Sequence, residues 1–212
     1  MRITLRALLL LALAFFTYLM VGLTIPYFSF NDQTAFLRIK QWIIHNEIWK
    51  TAFYVHVLTS CLCLIAGFTQ FSKTFLRKFP RIHRYMGRMY VGIILIFSGP
   101  TGFIMSIYAN GGLLSQAAFV SLTILWIYFT YNALMYARKK DFSKHHEFMI
   151  RSFALTLSAL TLRAWKLGIV LLFRPHPMDV YMLVAWLGWV PNLIIAEWYI
   201  RTQLSKLKFF NK

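Results

Sequence analysis

Acidic residues are scarce in this chain: six Asp and Glu stand against 23 Lys and Arg, for a net charge of +17. There are only two cysteines, Cys61 and Cys63, in one apolar run and two residues apart. A helix would point them in different directions, so neither a disulfide framework nor a zinc site follows. The signatures of soluble hydrolases and nucleotide enzymes are also missing: no G-x-S-x-G, no H-E-x-x-H, no glycine-rich phosphate loop and no C-x-x-C occurs in the 212 residues. Charged residues make up 14% of the chain and hydrophobic ones 59%, with a mean hydropathy of +0.59, which excludes an ordinary soluble globule. In a soluble domain so basic a balance would suggest nucleic acid. In a hydrophobic chain it has a simpler source, because basic residues collect on the cytoplasmic loops of membrane proteins; the expected partner is the lipid bilayer and not nucleic acid.

Apolar runs of bilayer length predict an all-α membrane protein with six transmembrane helices, over about 7–27, 51–71, 89–108, 116–136, 148–172 and 180–199 of a single integral domain, 1–212. The first run is longer than the core of a cleavable signal and has no small-residue cleavage site after it, so it reads as an uncleaved span. Seventeen of the Lys and Arg fall on segments that this threading puts inside; Arg38, Lys40, Lys50 and Arg174 fall outside, and Arg163 and Lys166 lie within span five. That bias predicts a multi-pass protein of the cell (inner) membrane with both termini cytoplasmic. Trp42, Ile43, Ile44 and Trp49 predict a piece lying at the interface, and Gly99 with Pro100 predicts a kink in span three.

Candidate functional residues are polar groups at membrane depth, which are costly and usually face an interior, a cavity or a partner. On span two, His56, Ser60, Cys63, Gly67 and Gln70 recur at spacings of four and three, a small polar face of the kind that packs helices in lipid. On a continuous span five, Arg163 and Lys166 share a face with Ser152, Thr156 and Ala159. These two faces are expected to meet around a polar cavity in the outer half. Toward the inner side, H-x-x-M-x-R-x-aromatic occurs twice, at His83 to Tyr90 and at His146 to Phe153. A parallel repeat of spans 2–3 and 4–5 would put His83, Arg88, His146 and Arg151 at matching depth on two helices, with Glu197 at the same level to pair with the arginines.

The blocks HVLTSCLCLIAGFTQF, HRYMGRMYV, HHEFMIRSFAL and WLGWVPNLIIAE, in that order, resemble a bacterial family of multi-spanning membrane proteins known only as a domain of unknown function. The resemblance covers about spans two to six. It departs at Glu147, where the family pattern has an arginine, and it implies no activity and no catalytic residue.

Three readings from different classes follow. Histidines on neighbouring helices with arginines nearby suit a b-type haem, with His83 and His146 as axial ligands and Arg88 and Arg151 on the propionates, in a haem- or quinone-linked redox protein. Alternatively, His56, Arg163, Lys166, Gln70, Asn192 and Glu197 serve a transporter or binder of a small anionic, amphipathic or quinone-like molecule. The third reading is a structural or accessory subunit, in which the same groups only anchor and pack. Whether the protein is an enzyme, and how it oligomerises, has no sequence signature.

Overall fold

The structure is a computed structural model that describes residues 2–70 and 73–210. Met1, Phe71, Ser72, Asn211 and Lys212, where the expected second span ends and the basic tail closes, lie outside the described residues, as do the side chains of Arg2, Arg6, Lys73, Lys206 and Lys208 counted above. The helices are α1 (Arg2–Thr24), α2 (Glu47–Gln70), α3 (Lys73–Lys78), α4 (Pro80–Gly92), α5 (Gly99–Ile107), α6 (Gly112–Arg138), α7 (Phe142–Thr156), α8 (Ser158–Phe173), α9 (Pro177–Leu187) and α10 (Val190–Phe210). No strand occurs among the described residues. Among the described residues six helical stretches are long and apolar enough to cross a membrane: Leu11–Ser29, Glu47–Gly67, Pro80–Ile107, Gly112–Arg138, Phe142–Phe173 and Pro177–Thr202. Local chemistry sets their ends. Pro80 and Pro177 sit in first turns, where a missing N–H costs nothing. Asp141 caps α7 by accepting from the Lys144 N–H, and Gly111, at φ 84°, takes the left-handed turn that starts α6.

Three of the six spans are irregular near their middle. In span three α4 passes into a π-helical segment, Ile93–Ser98, before α5, and the Gly99 N–H reaches back to Ile94 O. The expected kink is thus a π segment leading into Pro100, whose missing N–H cannot continue the α-helical ladder. In span five a single residue, Leu157, separates α7 from α8, and the Leu160 N–H bonds Leu157 O in a tight turn. Span six breaks at Gly188 and Trp189, with Pro191 in the first turn of α10.

Close packing holds the spans in place. The polar stripe of α2 faces inward: a Cβ on Gly67 would meet Phe153 Cε2 at 1.9 Å, and Cys63 is fully buried. The main core gathers Cys63, Tyr90, Ile94, Trp126 and Leu155 from four spans, while Met20, Leu64 and Leu160 join α1 to α2 and α8. Leu113, Leu171, Leu172 and Phe173, all more than two-thirds exposed, form part of the surface that lipid covers.

The segment between α1 and α2, expected to lie at the interface, folds into two 3-10 turns, Ile25–Ser29 and Ala35–Lys40, and forms a cap with its own core. Trp49 belongs to α2 and is 1% exposed; it packs with Ile44, Leu37, Tyr27 and Phe53, and only Trp42 is left exposed. The physical reason is Lys40. This lysine is 2% exposed, and its ammonium donates to Tyr108 O and to Asn110 Oδ1 (2.7 Å) in the turn after α5. It lies 5.8, 5.1 and 5.9 Å from the ring centroids of Phe36, Trp42 and Trp49. Two acceptors and three π faces hold a buried cation that has no acid partner among the described residues. Burial lowers its pKa to about 8.

Candidate functional site

The π segment of span three places its polar groups against α2. His56 Nδ1 donates to Ser98 O at 2.8 Å, and Thr59 Oγ1 shares a hydrogen bond of 2.9 Å with Ser98 Oγ while donating to Val55 O. The ring fits only because residue 102 is glycine: a Cβ there would stand 3.0 Å from His56 Cε1. With Nδ1 spent on a carbonyl, the neutral imidazole carries its lone pair on Nε2, which makes it an acceptor or a ligand atom. Arg163 of α8 lies within electrostatic reach of His56 and of Tyr27 from the cap between α1 and α2. It is exposed on the flank of the bundle, its Nη1 donating to Ala159 O at 2.6 Å on its own helix, and it has no acid partner among the described residues. Lys166 is exposed about one turn further along α8.

The expectation that Arg163 and Lys166 share a face with Ser152 and Thr156 fails at Leu157. Reading a continuous helix through that residue carried the register past a break. Ser152 and Thr156 are buried instead in a hydroxyl cluster that the sequence reading missed. Tyr90 Oη lies 2.9 Å from Ser152 Oγ and 2.7 Å from Thr156 Oγ1, Thr130 Oγ1 lies 2.7 Å from Ser152 Oγ, and Trp126 Nε1 donates to Thr156 Oγ1 at 3.0 Å. The cluster ties α4, α6 and α7 together at the core, and each member has a partner. Four neutral hydroxyls leave no charge signature; Ser152 and Thr156 at four spacing, on the buried side of α7, were the available clue.

Asn192 joins the breaks of spans five and six. Its Nδ2 donates to Ala154 O (3.1 Å), Thr161 Oγ1 (3.0 Å) and Gly188 O (3.2 Å), and Thr161 Oγ1 donates to the same Gly188 carbonyl. Gly188 passes so close to α8 that a Cβ would lie 2.9 Å from Leu162 Cβ. Carbonyls near a helix break are supplied here by a side-chain amide rather than by lipid, which cannot hydrogen-bond.

At the basic end Arg151 and Glu197 form a two-pronged pair, Nε to Oε1 at 2.5 Å and Nη2 to Oε2 at 3.0 Å, linking α7 to α10. Glu147 adds a second acid at 3.9 Å, and the guanidinium lies 5.2 Å from the Phe148 ring centroid. Gln70 Nε2 donates to the backbone carbonyl of His83, and its Oε1 would meet a Cβ on Gly87 at 3.1 Å. His83 is half-buried, whereas His146 and Arg88 are exposed. The neighbouring His145 is anchored through its Nδ1, which donates to Ala133 O at 2.8 Å. Residues 53–200 match the model of the family described as Predicted membrane protein (DUF2306), a domain of unknown function. No curated protein and no solved structure matches the chain.

Proposed function

The chain belongs to that family of predicted membrane proteins, and we propose that it binds a small amphipathic molecule taken sideways from the bilayer, held between His56 and Arg163. One observation carries the reading: Arg163 is a cation on the flank of the bundle, without an acid partner among the described residues, within electrostatic reach of a histidine whose Nδ1 is already engaged. A lone cation at such depth is costly unless something answers its charge. Arg163 offers donors to a carbonyl or carboxylate oxygen, and His56 Nε2 offers an acceptor to an O–H. A long-chain carboxylic acid carries both in its protonated form, and a quinol meets the same pair with two hydroxyls, one accepting from Arg163 and the other donating to His56. The irregular spans support the same reading, since interrupted helices at mid-membrane are where polar sites form in multi-span proteins. Gln70, Asn192 and Glu197 belong to helix-to-helix hydrogen bonds and hold the frame of this site. The basic excess supports an inner-membrane protein with both termini cytoplasmic.

The haem reading has less support. Arg151 is already clamped by Glu197, so a propionate would have to displace a bidentate acid, and His146 is exposed. Among the described residues no group of three or more His, Cys, Asp or Glu gathers as a metal set.

The test is equilibrium binding by the purified full chain of two probes, a short-chain quinol and dodecanoate, followed by thermal shift. Stabilisation that falls about tenfold in apparent affinity in Arg163→Ala and His56→Ala, but not in Arg174→Ala, is expected when one charge-assisted contact worth about 1.4 kcal/mol is lost. If neither probe stabilises the wild type, the accessory-subunit reading takes its place.

A further inference from the structure

The outward side of α10 carries an open groove of about 500 Å³ whose lining runs from Trp189 through Leu193 and Ile194 to Trp198 and Arg201. Those positions follow one helical stripe for about 18 Å, at a rise of about 1.5 Å per residue. The stripe is apolar over most of its length and polar only at the basic end. There Glu197 borders it, with both of its carboxylate oxygens engaged by Arg151, which Glu147 also approaches at 3.9 Å. Arg201 is exposed and makes no hydrogen bond or ion pair among the described residues. The mouth therefore presents an exposed guanidinium beside Trp198, which is 68% exposed, and an indole of that kind favours the headgroup level.

We infer that this groove is a binding site for one anionic glycerophospholipid of the leaflet at the basic end of the bundle, its phosphate on Arg201 and an acyl chain along Ile194, Leu193 and Trp189. Charge complementarity selects the occupant. An apolar floor takes a hydrocarbon chain of any lipid, but only the arginine at the mouth discriminates an anionic headgroup from a zwitterionic one. An exposed cation near the surface shifts binding of an anionic lipid by about fivefold. The site lies on α10 at the basic end, apart from His56 and Arg163 in the other half of the bundle, so it stands whether or not the proposed ligand of that pair is found.

The experiment places the full chain in phosphatidylcholine nanodiscs and titrates in phosphatidylglycerol or phosphatidylcholine with brominated acyl chains, which quench nearby indoles. The Trp198 signal is taken as the difference between the wild type and W198F. Quenching of that component is expected at about fivefold lower mole fraction of the glycerol lipid, falling to parity in R201Q and surviving in R201K. Equal quenching by the two lipids in the wild type would overturn the site. So would a preference unchanged in R201Q, which would assign it to other cations of the basic end. Loss of the preference on adding millimolar inorganic phosphate at constant ionic strength would also overturn it, by making the site one for a free anion.

Discussion

The lysine buried in the cap between α1 and α2 gives a stability prediction with a sign and a size. Lys40 has a pKa of about 8 in the folded protein against 10.5 for the ordinary side chain. That difference is worth about 3 kcal/mol at 1.36 kcal/mol for each tenfold. The sign follows from proton counting. Between pH 8 and 10.5 the unfolded chain holds the proton and the folded chain has released it, so folding stability rises with pH across that window. Below pH 8 both states are protonated, and the fold carries the full cost of a buried ammonium. Removing the charge by Lys40→Met deletes the pH dependence but also strips two acceptors, Tyr108 O and Asn110 Oδ1, of their donor. Its stability at neutral pH therefore changes less than 3 kcal/mol, because about 1–3 kcal/mol is returned as unsatisfied polar groups. The assay is thermal unfolding in mild detergent, followed by far-ultraviolet circular dichroism at intervals from pH 7 to 10.5. The wild type minus Lys40→Met difference should climb through that window. A flat difference would show that Lys40 is not buried as a cation, and the account of the cap would fail with it.

Other expectations rest on single contacts. Gly67→Ala should destabilise by about 1–3 kcal/mol, because the new Cβ enters the Phe153 ring, and thermal unfolding in detergent reads it directly. Glu197→Ala should cost about 1–3 kcal/mol by leaving Arg151 without its bidentate partner, with Glu147 retaining part of the charge compensation. Adding Arg151→Met to Glu197→Ala should recover much of that loss, whereas a double variant as unstable as the single one would mean that the pair is not what links α7 to α10. Protein purified from haem-supplemented cells should show no Soret band; a band that disappears in both His83→Ala and His146→Ala would reinstate the haem reading.

Much of the scaffold was legible because bilayer length is a strict requirement, and six helical stretches long and apolar enough to span a membrane occur among the described residues, the third of them starting at Pro80, nine residues before the expected 89. The Arg151 to Glu197 pair was legible for a related reason: an acid and a base at one depth in an apolar setting have few other ways to be satisfied. The break at Leu157 was not, since LTLSALTL contains no proline or glycine, and the interruption becomes evident only with Asn192 Nδ2 on Ala154 O across the interface. The burial of Lys40 was not legible because it depends on a cage of three rings and a turn about 70 residues away in sequence. His56 was found by its spacing, but its carbonyl partner exists at that position only through the π segment at Ile93–Ser98.

The most direct test of the binding proposal is photolabelling of the intact protein in native membranes with a photoreactive dodecanoate, followed by peptide mapping. The account predicts label on α2 around His56 and on α8 around Arg163, displaced by excess dodecanoate and reduced in Arg163→Ala. Label spread evenly over lipid-facing helices, unchanged by competitor or by the substitution, would contradict it.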